Sequence, residues 1–90
     1  MLTLSASTAY KKDIKLCKKR GYNLALLNAA INTLLIPEPL PAKNRDHSLS
    51  GNHAGERECY IAPDWILIYR VNNEELYLVR TGTHADLLNM

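Results

Sequence analysis

The chain has 90 residues, 47% hydrophobic and 22% charged, with a formal net charge of +2. That size supports one domain, residues 1–90, without a second core, and the composition excludes fibrous and disordered classes. No apolar run approaches the roughly 20 residues of a membrane span, Met1–Ser5 lacks a secretory layout, and Cys17 and Cys59 without a CxxC spacing point to a reducing cytoplasm.

Leu2 and Leu4 alternate with small polar residues and predict a short first strand. A helix follows from Ser7 or Thr8, either a suitable N-cap, with Tyr10, Ile14 and Cys17 on one stripe. The rest of its surface carries Lys11, Lys12, Lys15, Lys18, Lys19 and Arg20 against a single Asp13. Such a patch suits RNA phosphates or an acidic protein, and its plainer reading is a solvated face. Gly21 ends the helix as a C′ residue. Asn23 caps a second helix, where Leu24, Leu27, Ile31 and Leu34 recur at helical spacing and Ala30 and Leu35 widen the face. Its near lack of charge predicts burial, paired with the first helix as an αα-hairpin. Pro37 stops it, and Pro39 and Pro41 hold the exit extended.

From Ala42 to Gly55 nothing is periodic, which predicts a polar loop long enough to be functional. Three strands follow, at about Glu56–Ile61, Trp65–Val71 and Glu75–Thr81. They turn at Pro63-Asp64 and at Asn72-Asn73. Trp65–Val71 is apolar on both parities, so it is a central strand buried on both faces. Thr83 caps a terminal helical turn. The fold class is α+β, in the order β-α-α-β-β-β: an antiparallel sheet with an N-terminal helical hairpin on one face and a short C-terminal helical turn.

Strand parity places Glu58 with Tyr60, and Leu76 and Leu78 with Arg80 opposite Tyr77, Val79 and Thr81. The polar groups near the open face are then Tyr60, Asp64, Arg80, His47 and His84. Two imidazoles, a carboxylate and a guanidinium suit metal-independent cleavage of RNA. The 2′-OH needs a base, the departing 5′-oxygen needs an acid, and the phosphorane needs positive charge. Plainer readings stand beside these: His47 as a loop residue, Asp64 as a turn residue, Trp65 as core, His84 as part of a first helical turn. Cys17, Cys59, His47, His53 and His84 show no zinc-ligand spacing, so neither a metal nor a cofactor is assigned.

Three segments in register carry a family resemblance: Asp46-His47-Ser48-Leu49-Ser50-Gly51, Arg57 through Tyr69, and Arg80-Thr81-Gly82-Thr83-His84-Ala85-Asp86-Leu87. The sequence resembles the YafQ-like branch of the RelE/ParE superfamily, the toxins of bacterial type II toxin–antitoxin pairs. The resemblance implies a RelE-like fold and a ribosome-dependent endoribonuclease that cuts mRNA in the A site and is silenced by a cognate antitoxin. It implies working roles for His47, Asp64, Trp65 and His84. Where the family pattern has a histidine this chain has Tyr60, and where a phenylalanine is common it has Leu88. A phenol is a far weaker base than imidazole at neutral pH, but it can donate to a phosphate oxygen.

The resulting expectation makes His84 the general acid and His47, helped by Asp64, the base, an order that the sequence leaves exchangeable. Arg80 and Tyr60 stabilise the phosphorane. Trp65, Arg57 and Leu88 join the six basic residues of the first helix in contacting RNA. The expected partners are an antitoxin, the ribosome and mRNA in the cytoplasm, with operator DNA reached through a toxin–antitoxin complex. Two alternatives share the fold: a ParE-like gyrase inhibitor, and a weakened toxin kept as an antitoxin-bound repressor subunit.

Overall fold

The computed structural model describes residues 1–88, and of Leu88 only the backbone. The stacking position expected at Leu88 therefore lies outside the described side chains. Five strands form one sheet in the order β1-β5-β4-β3-β2. They are β1 (Thr3–Ala6), β2 (His47–Ser48), β3 (Arg57–Ala62), β4 (Trp65–Val71) and β5 (Glu75–Gly82). The helices are α1 (Thr8–Lys19), α2 (Leu24–Leu35) and a short α3 (His84–Leu88).

The caps are those expected from sequence. The Ser7 hydroxyl accepts from the Tyr10 amide, and the Asn23 side chain accepts from Ala25. Gly21 takes φ 76° after α1, a conformation that glycine adopts without a steric penalty. α1 is seated chiefly on β5 and α2 on β3, so the sheet holds the two helices. One apolar cluster joins them. Tyr10, Cys17, Leu27, Ile31 and Leu34 meet Cys59, Trp65, Leu67, Tyr69, Leu76 and Leu78. Trp65 through Tyr69 are buried on both parities, as a central strand requires.

Three features depart from the sequence reading. The sheet is not wholly antiparallel: β1 runs parallel to β5, in the register Thr3↔Glu75 to Ala6↔Leu78. It takes the free edge of β5 directly before the chain turns into α1, with the Ser7 amide donating to the Leu78 carbonyl. The loop from Ala42 to Gly55 contains β2, whose pairs His47↔Glu58 and Ser48↔Arg57 add a fifth strand. Two residues are too few for a period to show. The parity assigned to β5 fails beyond Val79. Tyr69 pairs with Leu78 but Ile68 with Arg80, so Val79 is the extra residue of a bulge. Thr81 therefore returns to the helix-covered side, where its hydroxyl accepts from the Trp65 indole at 2.9 Å.

β1 covers β5 only as far as Leu78, so the next stretch of edge needs other partners. The Ser7 hydroxyl donates to the Val79 carbonyl at 2.6 Å, and the Thr81 amide donates to Asp13 at 3.1 Å. Both cysteines are buried, and burial pushes the Cys59 thiol up to about 12 and the Cys17 thiol upward. Neither is a nucleophile in the folded state, because reactivity belongs to the thiolate. A thiol reagent at pH 8 should modify no cysteine of the native protein and both after unfolding. Rapid native labelling would contradict this packing.

Candidate functional site

The register of β2 on β3 and of β3 on β4 and β5 aligns His47, Glu58, Ile68 and Arg80 in one row across the sheet. Ile66 and Ile68 are buried, and Glu58 beside them is only 4% exposed. A carboxylate so placed needs compensating partners. They are the two histidines. His47 Nε2 lies 3.2 Å from Glu58 Oε2, and His84 Nε2 lies 3.4 Å from the same carboxylate.

The hydrogen inventory at His47 is constrained. Its Nδ1 lies 2.6 Å from the Arg45 carbonyl. A carbonyl only accepts, so Nδ1 carries the hydrogen and Nε2 is left facing Glu58. His84 is gripped more loosely on its other side. Its Nδ1 and its backbone N–H are each 3.5 Å from Asp64 Oδ1. Asp64 is held at the Pro63-Asp64 corner with φ 56°, in the left-handed region that Asp tolerates better than most residues. Its side chain is 68% exposed.

The structure thus brings His47, His84, Asp64 and Tyr60 together. The Tyr60 and His84 rings lie 5.5 Å apart, tilted at 52°. It also corrects the set. The carboxylate beside His47 is Glu58 rather than Asp64, because β2 pairing sets Glu58 directly across from His47. Arg80, although in the same row, turns round the sheet edge to Asp13, with bonds of 2.7 and 2.9 Å. Arg57 is held by Asp46 at 3.2 Å and Arg20 by Asp86 at 2.6 Å, so neither is a free cation. Trp65 is 4% exposed and donates to Thr81, which makes it core, not a surface for stacking a base. Lys11, Lys12, Lys15, Lys18 and Lys19 are exposed.

Sequence reasoning missed two residues. Glu58 had been placed on the same face as Tyr60, and an acidic residue inside an otherwise apolar strand was the available signal. Arg45 takes φ 48°, and its guanidinium carbon stands 5.9 Å from the Tyr60 ring centroid. Among the described residues it has no carboxylate partner. Beside Tyr60 a cavity of about 590 Å³ is lined by Leu26, Ile61 and Pro63 together with Lys43 and Arg45. Among the described residues no three His, Cys, Asp or Glu side chains are arranged to hold a metal ion.

The family described as "Bacterial toxin of type II toxin-antitoxin system, YafQ" matches residues 2–89. The chain belongs to that family. The mRNA interferase toxin YafQ of Escherichia coli K12 is 46% identical over 83 residues, covering 90% of this chain and 89% of that protein. The crystal structure of YafQ from E. coli BL21(DE3) superposes with a TM-score of 0.92 at 36% identity, covering 97% of this chain and 98% of that one. The toxin of the E. coli DinJ-YafQ toxin-antitoxin complex superposes at 0.89 with 40% identity, over 96% of each chain. The YafQ fold is therefore common to all three, including the sheet that carries the Glu58 row here.

The site depends on β2 staying in place, and Asp46 fastens it. Its Oδ1 accepts the Tyr69 hydroxyl at 2.7 Å and Arg57 Nε at 3.2 Å. Asp46→Ala leaves the buried Tyr69 hydroxyl unpaired, which should cost about 1–3 kcal/mol. A urea melt reads this as a lower midpoint at unchanged slope. An unchanged midpoint would show that the pair contributes nothing.

Proposed function

We propose that this YafQ-family toxin is an mRNA interferase: an endoribonuclease that cuts ribosome-bound mRNA by attack of a 2′-OH on the adjacent phosphate. The observation that carries the reading is one buried carboxylate, Glu58, flanked by His47 and His84, with Tyr60 and Asp64 alongside. The E. coli relative bears the name of an mRNA interferase.

The chemistry asks for two proton transfers and one centre of positive charge. His47 takes the 2′-OH proton on Nε2, its tautomer fixed by the Arg45 carbonyl, and Glu58, 3.2 Å from that nitrogen, stabilises the imidazolium that forms. His84 gives a proton to the departing 5′-oxygen, with Asp64 steadying Nδ1. Exchange of these two roles is equally compatible with the geometry. Tyr60 donates to a non-bridging phosphate oxygen. Arg45 supplies charge beside it, and Arg80 joins only by leaving Asp13. The O2′–P bond forms as the P–O5′ bond breaks, leaving a 2′,3′-cyclic phosphate on one fragment and a 5′-hydroxyl on the other; no electron changes hands, so this reaction needs no cofactor.

The lysines of α1 hold ribosomal RNA phosphates, and a cognate antitoxin silences the site; the E. coli relative is found in a DinJ-YafQ toxin-antitoxin complex. A toxin that acts on the ribosome acts, in this reading, in the cytoplasm. Binding to operator DNA through the antitoxin belongs to the same reading.

Two measurements test it. His84→Ala should fold normally and slow cleavage of ribosome-bound mRNA by about 10²–10⁴-fold, with Glu58→Gln also slowed. Cleavage at the wild-type rate by His84→Ala would remove His84 from the mechanism. Replacing Lys11, Lys12, Lys15, Lys18 and Lys19 with glutamine should flatten the salt dependence of ribosome binding, by about 0.7–0.9 in log–log slope for each lysine that meets a phosphate. An unaltered slope would return the patch to a solvated face.

A further inference from the structure

His84 sits at the start of an element that ought not to hold still. α3 has five residues, far too few for a helix to persist on propensity alone. The imidazole's own tethers are long, at 3.4 Å to Glu58 and 3.5 Å to Asp64. Shorter bonds exist nearby, and apart from the Leu87 amide on the Thr83 carbonyl they converge on Asp86. Its carboxylate accepts from the Thr83 amide at 3.1 Å, and its own amide donates to the Thr83 hydroxyl at 3.1 Å. This is a reciprocal capping box around the residue that precedes His84.

The same carboxylate takes both arms of Arg20, at 2.6 and 3.2 Å, although the two residues are 66 apart in sequence. A bidentate fork is directional as well as attractive, so it fixes an orientation as a single contact does not. Arg20 is itself the C-cap residue of α1. It is steadied by the Tyr22 hydroxyl, and Tyr22 packs its ring 4.8 Å from that of Trp65. A path of contacts therefore runs from the core through Tyr22, Arg20 and Asp86 to Thr83, longest at the 3.4 Å step from Arg20 to the Tyr22 hydroxyl. Gly82 completes it. At φ 154° a Cβ there would meet Asp86 Oδ2 at 3.1 Å, so the close approach of the carboxylate depends on glycine.

We propose that Arg20 and Asp86 form a latch that positions His84 for proton transfer. Arg20 and Asp86 are then positioning residues, which reach the reaction only through His84. This rests on the role given to His84 above. It also removes Arg20 from the basic face to which its sequence neighbours belong. The Arg20 fork holds the Asp86 carboxyl well below the usual carboxylate range. Because the folded value is depressed, the latch is intact above the ordinary carboxylate pKa and weakens only as pH falls through the lower one.

The test is a double-mutant cycle of Arg20→Ala, Asp86→Ala and the pair, read on ribosome-bound mRNA and by the imidazole nitrogen signals of the free protein. The latch expects each single variant to lower kcat about ten- to a hundredfold, the scale of a misplaced catalytic group. KM and the salt slope should hold, and the pair should lose no more than either single. Additive losses would overturn it. So would a rise in KM and a flatter salt slope for Arg20→Ala with tighter ribosome binding for Asp86→Ala, the pattern of an RNA-contacting cation.

The spectroscopic arm stands apart from activity. The His84 ring signals should shift and broaden in Asp86→Ala and stay put in the remote Glu38→Gln. Unmoved signals in Asp86→Ala overturn the latch whatever the protein cleaves. Moved signals in a protein whose wild type cuts no RNA would keep the latch and defeat the nuclease reading.

Discussion

A carboxylate buried in the middle of a sheet governs this molecule. Glu58 is 4% exposed, next to Ile66 and Ile68, which are buried almost completely. Removing an ionised group from water is expensive, and the expense persists unless partners replace the lost hydration. Here the replacements are imidazoles delivered from both ends of the C-terminal half of the chain. His47 arrives from the loop before β3 and His84 from the turn after β5. A stability requirement thereby gathers two imidazoles around one acceptor, the pair on which the proposed proton transfers rest.

The imidazoles are carried by the weakest elements of the fold, a two-residue strand and a five-residue helix. Neither has enough apolar surface to hold itself in place. Each is fastened by an aspartate instead, Asp46 for β2 and Asp86 for α3. The rigid centre, Trp65 through Tyr69, supplies the fixed end of both fastenings, through Tyr69 to Asp46 and through Trp65 and Tyr22 to Arg20. Precision at the site is thus imported from the core by hydrogen bonds, while the backbone that bears the histidines is locally thin.

What could be read from sequence was whatever depends on short spacing. Ser7, Asn23 and Gly21 act on neighbours within a few residues, and the stripe Leu24, Leu27, Ile31, Leu34 repeats within one helix, so both caps and helices were legible. The both-parity burial of Trp65–Tyr69 was legible for the same reason. Long-range pairing was not. The parallel seat of β1 on β5 leaves no periodic trace, and the extra residue at Val79 inverts a parity that looks regular in the string. Glu58 was invisible as a centre because its partners lie 11 residues before it and 26 after, as numbered in the chain. The family motifs located His47, Asp64 and His84 but said nothing about which carboxylate faces which imidazole.

The arginines show the same limit in a form that bears on function. Charge counting treats Arg20, Arg57 and Arg80 as equivalent to the lysines of α1. The fold separates them: each of the three meets an aspartate, Asp86, Asp46 and Asp13, whereas the five lysines remain exposed. The chemistry of the two side chains explains the division. A guanidinium presents a planar fork that locks a carboxylate in one orientation, while an ammonium on a four-carbon stem keeps its hydration and its mobility. Position is therefore assigned to arginine and reach to lysine. The net charge of +2 understates the local charge of α1, because its five lysines stay exposed while three arginines, not the lysines, absorb the paired aspartates.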